Sequence, residues 1–528
     1  QLNGDSALIT DGLFLYLQRG LAQFLAGTPD ILFTTVPGTD YYRGIRQSLF
    51  SLYVQDDWKA TRRLTLNLGL RYEPISTPTA ENGKVSNLRN ITDARPIPGD
   101  PFIDNPSYTN IAPRVGFAMD VFGDGKTSLR GAAGIFYSAI LPMQYRFQIS
   151  NQEPFARLAA VVGPFPNAFT SPIVVLPGGV ISPIEFDADQ PTVYQWNLNI
   201  QRELGRDFVL SAGYVGSRGV NLQARYDLNV RTDFQIVNGQ KFFPAGNGAK
   251  FNPNFSNITY QDFSADSYYH ALQLNLTKRF SGGLQFQTAY TLSKSIDTSS
   301  AAESVFVSGS VGGGRQDPFD LRSERALSDY DTRNNFVANF LYELPFGKGR
   351  LIGGGLTGVA GTFIGGWSTG GILTLRSGFP FNVALGFDRA GNGAGNLQQR
   401  PNIAPGVDLS DATTGDPSGF VNPSFFRLQP AGFYGNAPRN ALGGPNLKSF
   451  DMTLAKRTPI TDRLSSEFRF EAFNLFNRSN FAPPDAVNRV IFPGVDATGA
   501  STISPTFGQL TRTSTSSRQL QFGLKLLW

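Results

Sequence analysis

The 528-residue chain contains no cysteine, which excludes a disulfide frame, a thiol nucleophile and a thiolate metal site. Its single histidine, His270, excludes a multi-histidine metal centre, and no Cys–His or Ser–His–Asp set can be assembled. No run of about eighteen apolar residues occurs, so no segment reads as a transmembrane helix. Hydrophobic residues at 41% and a mean hydropathy of −0.17 argue against both a disordered chain and a helical membrane protein. No dense Lys/Arg tract is present, and a net charge of +5 is mild, which argues against a nucleic-acid partner. The chain opens at Gln1 without an initiator methionine or a basic–apolar–small leader, so the reading is of a trimmed piece whose export signal lies outside it.

What is plentiful is glycine, 57 residues, and aromatic side chains at 12%, a composition that suits strands and turns. The closing "RQLQFGLKLLW" puts Leu520, Phe522, Leu524, Leu526 and Trp528 on one side of an extended strand. Gln519, Gln521, Gly523 and Lys525 fall on the other. "RRLTLNLGLRYE" does the same with Leu64, Leu66, Leu68, Leu70 and Tyr72. "SGGLQFQTAYTLSK" repeats it with Leu284, Phe286, Tyr290 and Leu292, and "LSSEFRFEAF" with Leu464, Phe468, Phe470 and Ala472. Such period-two alternation marks half-buried strands, and no segment shows a comparable helical stripe.

The connections alternate in length. "KATRR", "FGDGK", "LGRD", "SGG" and "TPITD" are short links. The stretches 74–110, 139–190, 219–266, 295–333, 378–446 and 476–517 are long and rich in Gly, Pro, Asn, Asp and Ser. One link, 345–366, is intermediate. Several long loops count against a compact soluble domain. They suit a transmembrane antiparallel β-barrel, with tight periplasmic turns on one rim, long extracellular loops on the other, and strands of about nine to eleven residues. The pattern predicts an all-β chain of roughly 14–16 strands, one barrel domain over 1–528, with lipid on the apolar face and a wet lumen on the other. By this count Trp58, Trp367 and Trp528 fall at the short-turn rim and Trp196 near the long-loop rim, as an interfacial aromatic girdle requires. Packing of tryptophan in a β-sandwich core is the plainer alternative.

Several stretches resemble the barrel of TonB-dependent receptors of the Oar-like subgroup. They are "LYVQDDWKATRRLTLNLGLRYE" (52–73), "IAPRVGFAMDVFGDGKTSLRGAAGIFY" (111–137), "SAGYVGSRGVNL" (211–222) and "YYHALQLNLTKRFSGGLQFQTAYTLSKSID" (268–297). "YELPFGKGR" (342–350), "SFDMTLAKRTPITDRLSSEFRFEAFNLFN" (449–477) and "FGQLTRTSTSSRQLQFGLKLLW" (507–528) complete the ordered set. The resemblance implies an outer-membrane location in a Gram-negative-type bacterium, more than twenty strands, an N-terminal plug, and energy delivered by the TonB complex. No stretch here resembles a plug or a TonB box, so the chain is similar to the C-terminal part of such a receptor. The family also implies that the terminal residues Leu520, Phe522, Leu524, Leu526 and Trp528 are read by the barrel-assembly machinery.

Candidate chemistry fails on spacing. "FGDGKTS" (122–128) has Asp120 where a phosphate loop needs its first glycine, and reads as a hairpin turn. "VGSRG" (215–219) has Val215 where a nucleophile elbow needs glycine. Asp329 and Asp331 open like a calcium loop, but Asn334 and Phe340 occupy its glycine and bidentate-acid positions. His270 reads as a hydrogen-bonded rim residue. Glu467, Arg469 and Glu471, with Arg71 and Glu73, read as salt-bridged lumen wall. The expectation is a non-enzymatic transporter that takes up an unknown large or scarce ligand and holds no cofactor or metal. The alternatives are a passive pore or adhesin that never engages TonB, and a soluble carbohydrate-binding β-protein. Aromatic pieces such as "DSYYHA" (266–271) and "NPSFFRLQPAGFYG" (422–435) read either as stacking platforms or as collapsed loop cores.

Overall fold

The computed structural model describes residues 43–104, 107–150, 152–156, 158–161, 180–205, 207–300, 314–394 and 399–528. Residue 40 and the segments 13–15, 25–27 and 31–35 are also described. The opening stretch 1–18 therefore lies largely outside the described residues.

One continuous antiparallel path carries thirteen strands in sequence order. They are β1 (Leu52–Lys59), β2 (Leu64–Tyr72), β3 (Ile111–Asp120), β4 (Thr127–Tyr137), β5 (Thr192–Leu204), β6 (Phe208–Asp227) and β7 (Asn257–Ser281). Then follow β8 (Leu284–Asp297), β9 (Asn334–Glu343), β10 (Trp367–Arg376), β11 (Leu447–Pro459), β12 (Ser465–Phe473) and β13 (Gln519–Leu527). The sheet holds fifteen strands because two short ones, Val180–Ile181 and Ala326–Leu327, pair beside the main path. The 14–16 of the sequence reading thus corresponds to a thirteen-strand wall with two small additions.

Register carries the alternation across strands. Met119, Leu129, Ile200, Ala212, Leu274, Tyr290, Phe336 and Leu375 stand opposite one another from β3 to β10. One residue along, Thr65, Ala118, Arg130, Asn199, Gly213, Gln273, Thr291, Asn335 and Arg376 form the next row and face the other way. A slip of one residue would exchange the two faces, so the lipid-facing pattern itself pins the register. Asp56, beside Leu68, interrupts the apolar face at the outermost strand.

All the short turns fall at one rim, because consecutive strands run antiparallel. In β7–β8 the turn is Gly282–Gly283, both with positive φ (59° and 80°), the geometry of a two-residue hairpin that residues with a Cβ resist. In the β3–β4 turn, Asp120 accepts from the backbone of Gly123 (2.9 Å) and Gly125 (3.0 Å), which is what the Walker-like stretch does instead of cradling phosphate.

Strands β6 and β7 run to 20 and 25 residues, well into the stretch 219–266 that the sequence reads as a long loop. Their outer halves still pair, through bulges near Gly219 and Leu222, and form a ribbon rising beyond the rim. Residues 219–227 and 257–266 are packed on both sides by loop residues, so they carry no apolar–polar alternation for the sequence to show.

The core sits in the long loops. The bulkiest fully buried side chains include Tyr145, Phe102, Phe381, Ile184, Leu385 and Leu442 in the loops, and Ile258 in the outer half of β7. One cluster joins Phe381, Leu385, Phe420, Phe426 and Leu442 to Ile491, Phe492 and Phe507, sewing the β10–β11 loop to the β12–β13 loop. A second joins Val85, Phe102, Ile103 and Ile140 to Tyr145 and Ile149 on helix α1 (Pro142–Ser150). A third gathers Leu88 and Ile181 around the β6–β7 ribbon at Tyr226 and Ile258. The wall instead exposes its large apolar groups, Leu198, Ile200, Tyr214, Leu272 and Phe522 among them. A contiguous apolar surface of this extent on a water-soluble protein would drive association; around a barrel it is the lipid-facing belt.

Candidate functional site

Two surfaces are candidates for function: the lumen face of the wall and the folded loop layer above it. On the lumen face the central strands β5–β9 carry amides and hydroxyls. Asn197, Asn199 and Gln201 stand beside Ser211, Gln273, Asn275, Gln287, Asn335 and Asn339. Charge gathers toward the flanks and the turn rim: Arg71 pairs with Glu73 (2.7 Å), Arg469 with Glu467 (2.5 Å) and, at the turn ends of β5 and β7, Arg279 with Glu203 (3.6 Å). The five charged residues singled out in the sequence thus lie as two local wall clusters on different strands.

The loop layer is held by buried ion pairs. Glu324, in a short 3-10 turn (Leu321–Glu324), receives both guanidinium nitrogens of Arg400 at 3.0 Å and the backbone amide of Gln316 at 2.9 Å. Gln316 in turn accepts from the Arg400 amide (2.8 Å) and donates to the Gly435 carbonyl (2.9 Å). Arg439 donates through Nε to the Glu324 carbonyl (3.0 Å) and through Nη2 to the Asp297 carbonyl (2.7 Å) and carboxylate. These residues come from the loops 295–333 and 378–446, so the network locks two loops into one body. On the ribbon, Arg315 spans both oxygens of Asp262 (3.3 Å each) and lies over the Tyr226 ring, 4.0 Å from its centroid. Burial and the neighbouring Asp262 push the Tyr226 phenol far above its ordinary range.

The two aspartates of the failed calcium loop serve this layer. Asp331 accepts from the Ser295 amide (2.6 Å), and Asp329 accepts from the side chain of Asn440 (2.5 Å). "NPSFFRLQPAGFYG" is a collapsed loop core: Phe426 is buried in the first cluster, Phe433 packs on Phe242 (5.0 Å) and Tyr434 on Phe243 (5.4 Å). "DSYYHA" lies within β7, with Tyr268 between the guanidinium groups of Arg218 (5.2 Å) and Arg325 (5.1 Å). His270 meets the Tyr214 hydroxyl at 2.7 Å on the apolar face, as a rim residue should. The ion-pair network was not found from sequence, because Glu324 and Arg400 are 76 residues apart and no spacing rule links them.

Two substitutions probe the layer. A Cβ on Gly435 would stand 2.0 Å from the Arg400 carbonyl oxygen and 2.6 Å from the Pro401 carbonyl, both backbone. Gly435→Ala should therefore cost about 1–3 kcal/mol of local stability, read as faster amide exchange at residues 399–403 and 432–437. Glu185, half-buried in the loop 139–190, accepts from the Phe263 amide at 2.8 Å. Burial raises its pKa; the Phe263 bond partly offsets this, and Asp262, Asp189 and Asp187 raise it further. The folded state then binds a proton more tightly than the unfolded one, so this group favours the packed loop on acidification. That stability is lost as pH rises from the ordinary carboxylate value through the elevated one. Glu185→Gln should keep the acceptor and remove the pH slope, giving equal exchange protection of 259–265 at pH 5 and pH 7.

The four tryptophans and the terminal residues take the following places on the strands. Trp58 is one residue from the turn end of β1, Trp367 opens β10 at the same rim, and Trp528 follows the last residue of β13. Trp196 stands opposite Gly216, over which its ring lies so closely that a Cβ there would be 2.4 Å away. Leu520, Phe522, Leu524 and Leu526 pair with Ala472, Phe470, Phe468 and Ser466 and remain exposed, continuing the belt to the last strand.

The family described as "Outer membrane beta barrel domain" matches residues 3–521. The chain belongs to that family. No curated protein matches this outer-membrane barrel domain. Among solved structures it is similar to the outer membrane transporter YddB from Escherichia coli, at 12% identity and a TM-score of 0.47, over 94% of this chain and 49% of that one. It is also similar to the siderophore receptor PirA from Acinetobacter baumannii (12% identity, TM-score 0.44, 98% of this chain and 53% of that one). The FrpB iron transporter from Neisseria meningitidis matches at 10% identity and a TM-score of 0.41, over 92% of this chain and 46% of that one. The barrel domain described here thus spans about half the length of these proteins.

Proposed function

We propose that this barrel domain forms wall and extracellular loops of a TonB-dependent receptor of the Oar-like kind, importing a ligand too large or too scarce for passive pores. The observation that carries the reading is the loop layer. Its buried ion pairs and three apolar clusters make the long loops an ordered surface at the mouth of the lumen, as selective capture requires. A passive pore needs no such layer.

Two supports are independent of the loops. The seven family-like stretches fall in order, mostly on wall strands, short turns and the terminal strand, with 342–350 running into the intermediate link and 507–518 in the last long loop. Among the described residues β1 and β13 have no partner on their outer edges. Unpaired backbone is untenable in hydrocarbon, so in this reading further strands close the wall. In this reading the plug and its TonB contact are carried by other parts of the receptor, the four tryptophans sit at the two membrane interfaces, and Leu520–Trp528 is the signal read by the assembly machinery.

The test is a comparison of culture media. Solutes removed by cells carrying the receptor should persist when its gene is deleted, and equally when TonB is depleted. Removal that continues without TonB identifies a passive pore, and no change in any solute identifies an adhesin or structural barrel.

A further inference from the structure

The intermediate link between β9 and β10 carries an unassigned surface. Within it, Gly347 and Gly365 approach so closely that a Cβ on Gly347 would stand 2.5 Å from the Gly365 Cα, closing the link into a compact loop. The loop ends in helix α2 (Gly358–Ile364). One face of this helix is bare: Val359 is 87% exposed and Phe363, one turn on, 73%.

Which side of the wall the helix occupies follows from its anchors. Trp367 donates its indole N–H to the Phe363 carbonyl at 3.1 Å. Lys456 donates through Nζ to the carbonyls of Thr362 (2.8 Å) and Gly365 (2.7 Å), capping the C-terminal end where a cation is favoured. Trp367 and Lys456 are partners across β10 and β11, with the ammonium 5.1 Å from the ring centroid. Lys456 shares its face with Leu454, Met452 and Phe450, and the row continues through Phe468 to Leu524. Both anchors therefore belong to the apolar face, and the helix lies outside the lumen, against the belt at the short-turn rim.

We propose that α2 is a foot embedded in the headgroup–acyl boundary of the periplasmic leaflet, with Val359 and Phe363 inserted among the lipid chains. Its occupant is glycerophospholipid, because the bare face continues the lipid belt and its two anchors are the residues suited to an interface, tryptophan and a snorkelling lysine. The proposal rests on the outer-membrane reading of the belt.

These 528 residues hold no cysteine, so one introduced thiol gives a single label once any cysteine elsewhere in the receptor is replaced by serine. Phe363→Cys and Val359→Cys are labelled with an environment-sensitive dye in the folded protein, reconstituted in phosphatidylethanolamine–phosphatidylglycerol vesicles. Leu524→Cys serves as the belt reference and Gln521→Cys as the lumen reference. The expected result is quenching at 359 and 363 by lipids brominated near the headgroup, at least about twofold stronger than at 521, with protection from aqueous iodide. Iodide-accessible labels at 359 and 363, with Leu524→Cys still lipid-quenched, overturn the foot alone. Labels shielded from both quenchers show a protein partner there and overturn it too. If Leu524→Cys itself is not lipid-quenched, the belt reading falls and takes the foot with it.

Discussion

Glu324→Ala should open the loop layer while leaving the wall folded. The substitution strips the only carboxylate that Arg400 meets among the described contacts and leaves a guanidinium that is 4% exposed. Breaking one partner of a buried pair costs about 3–5 kcal/mol, because the remaining charge stays desolvated. At about 1.4 kcal/mol per factor of ten, that is a rise of two to nearly four powers of ten in the opening equilibrium. Amide exchange should speed accordingly over 316–327 and 399–440, which share the Gln316 and Gly435 bonds. Exchange in β5 and β6 should not change, since those strands are held by their own ladder. Replacing both partners, Glu324→Met with Arg400→Met, should recover part of the loss, since no charge is then stranded. Equal protection in wild type and Glu324→Ala would show that the apolar clusters alone hold the layer.

Leu524→Arg should impair folding into bilayers, and Gln521→Arg should not. Leu524 stands opposite Phe468 on the belt face, while Gln521 stands opposite Glu471 on the lumen face. An arginine facing lipid near the midplane costs about 2–4 kcal/mol, falling toward zero at the interfaces. In the lumen the same side chain gains water and the Glu471 carboxylate. Denaturant titration of the protein in liposomes measures the difference, and equal destabilisation at the two positions would refute the two-faced wall. Leu526→Arg, closer to the rim, should fall between them.

The wall was legible because lipid enforces a rule that sequence cannot hide. Leu64 to Leu70, Leu284 to Leu292 and Leu520 to Leu526 alternate because every second side chain meets hydrocarbon, and each strand was found with its face correct. The turn rim was legible for the same reason, through Asp120 and Gly282–Gly283. The loop layer was not, since its packing has no period: Phe381 meets Phe420, Phe426 meets Phe507, and Arg439 meets Asp297 across 142 residues. The outer halves of β6 and β7 were read as loop because burial on both sides removes the alternation. The foot helix was visible only as a link of unusual length, its seven residues being too few to display a stripe.

The long ribbon sets a height for the molecule. Twenty-five residues of β7 have a contour of roughly 80 Å at about 3.3 Å per residue, against a hydrocarbon layer of about 30 Å. Even with the tilt of barrel strands, a large fraction stands clear of the bilayer. There the ribbon keeps Arg315 and Tyr226 buried among the loops, so the packing that holds the loop layer together is made in water, away from the lipid.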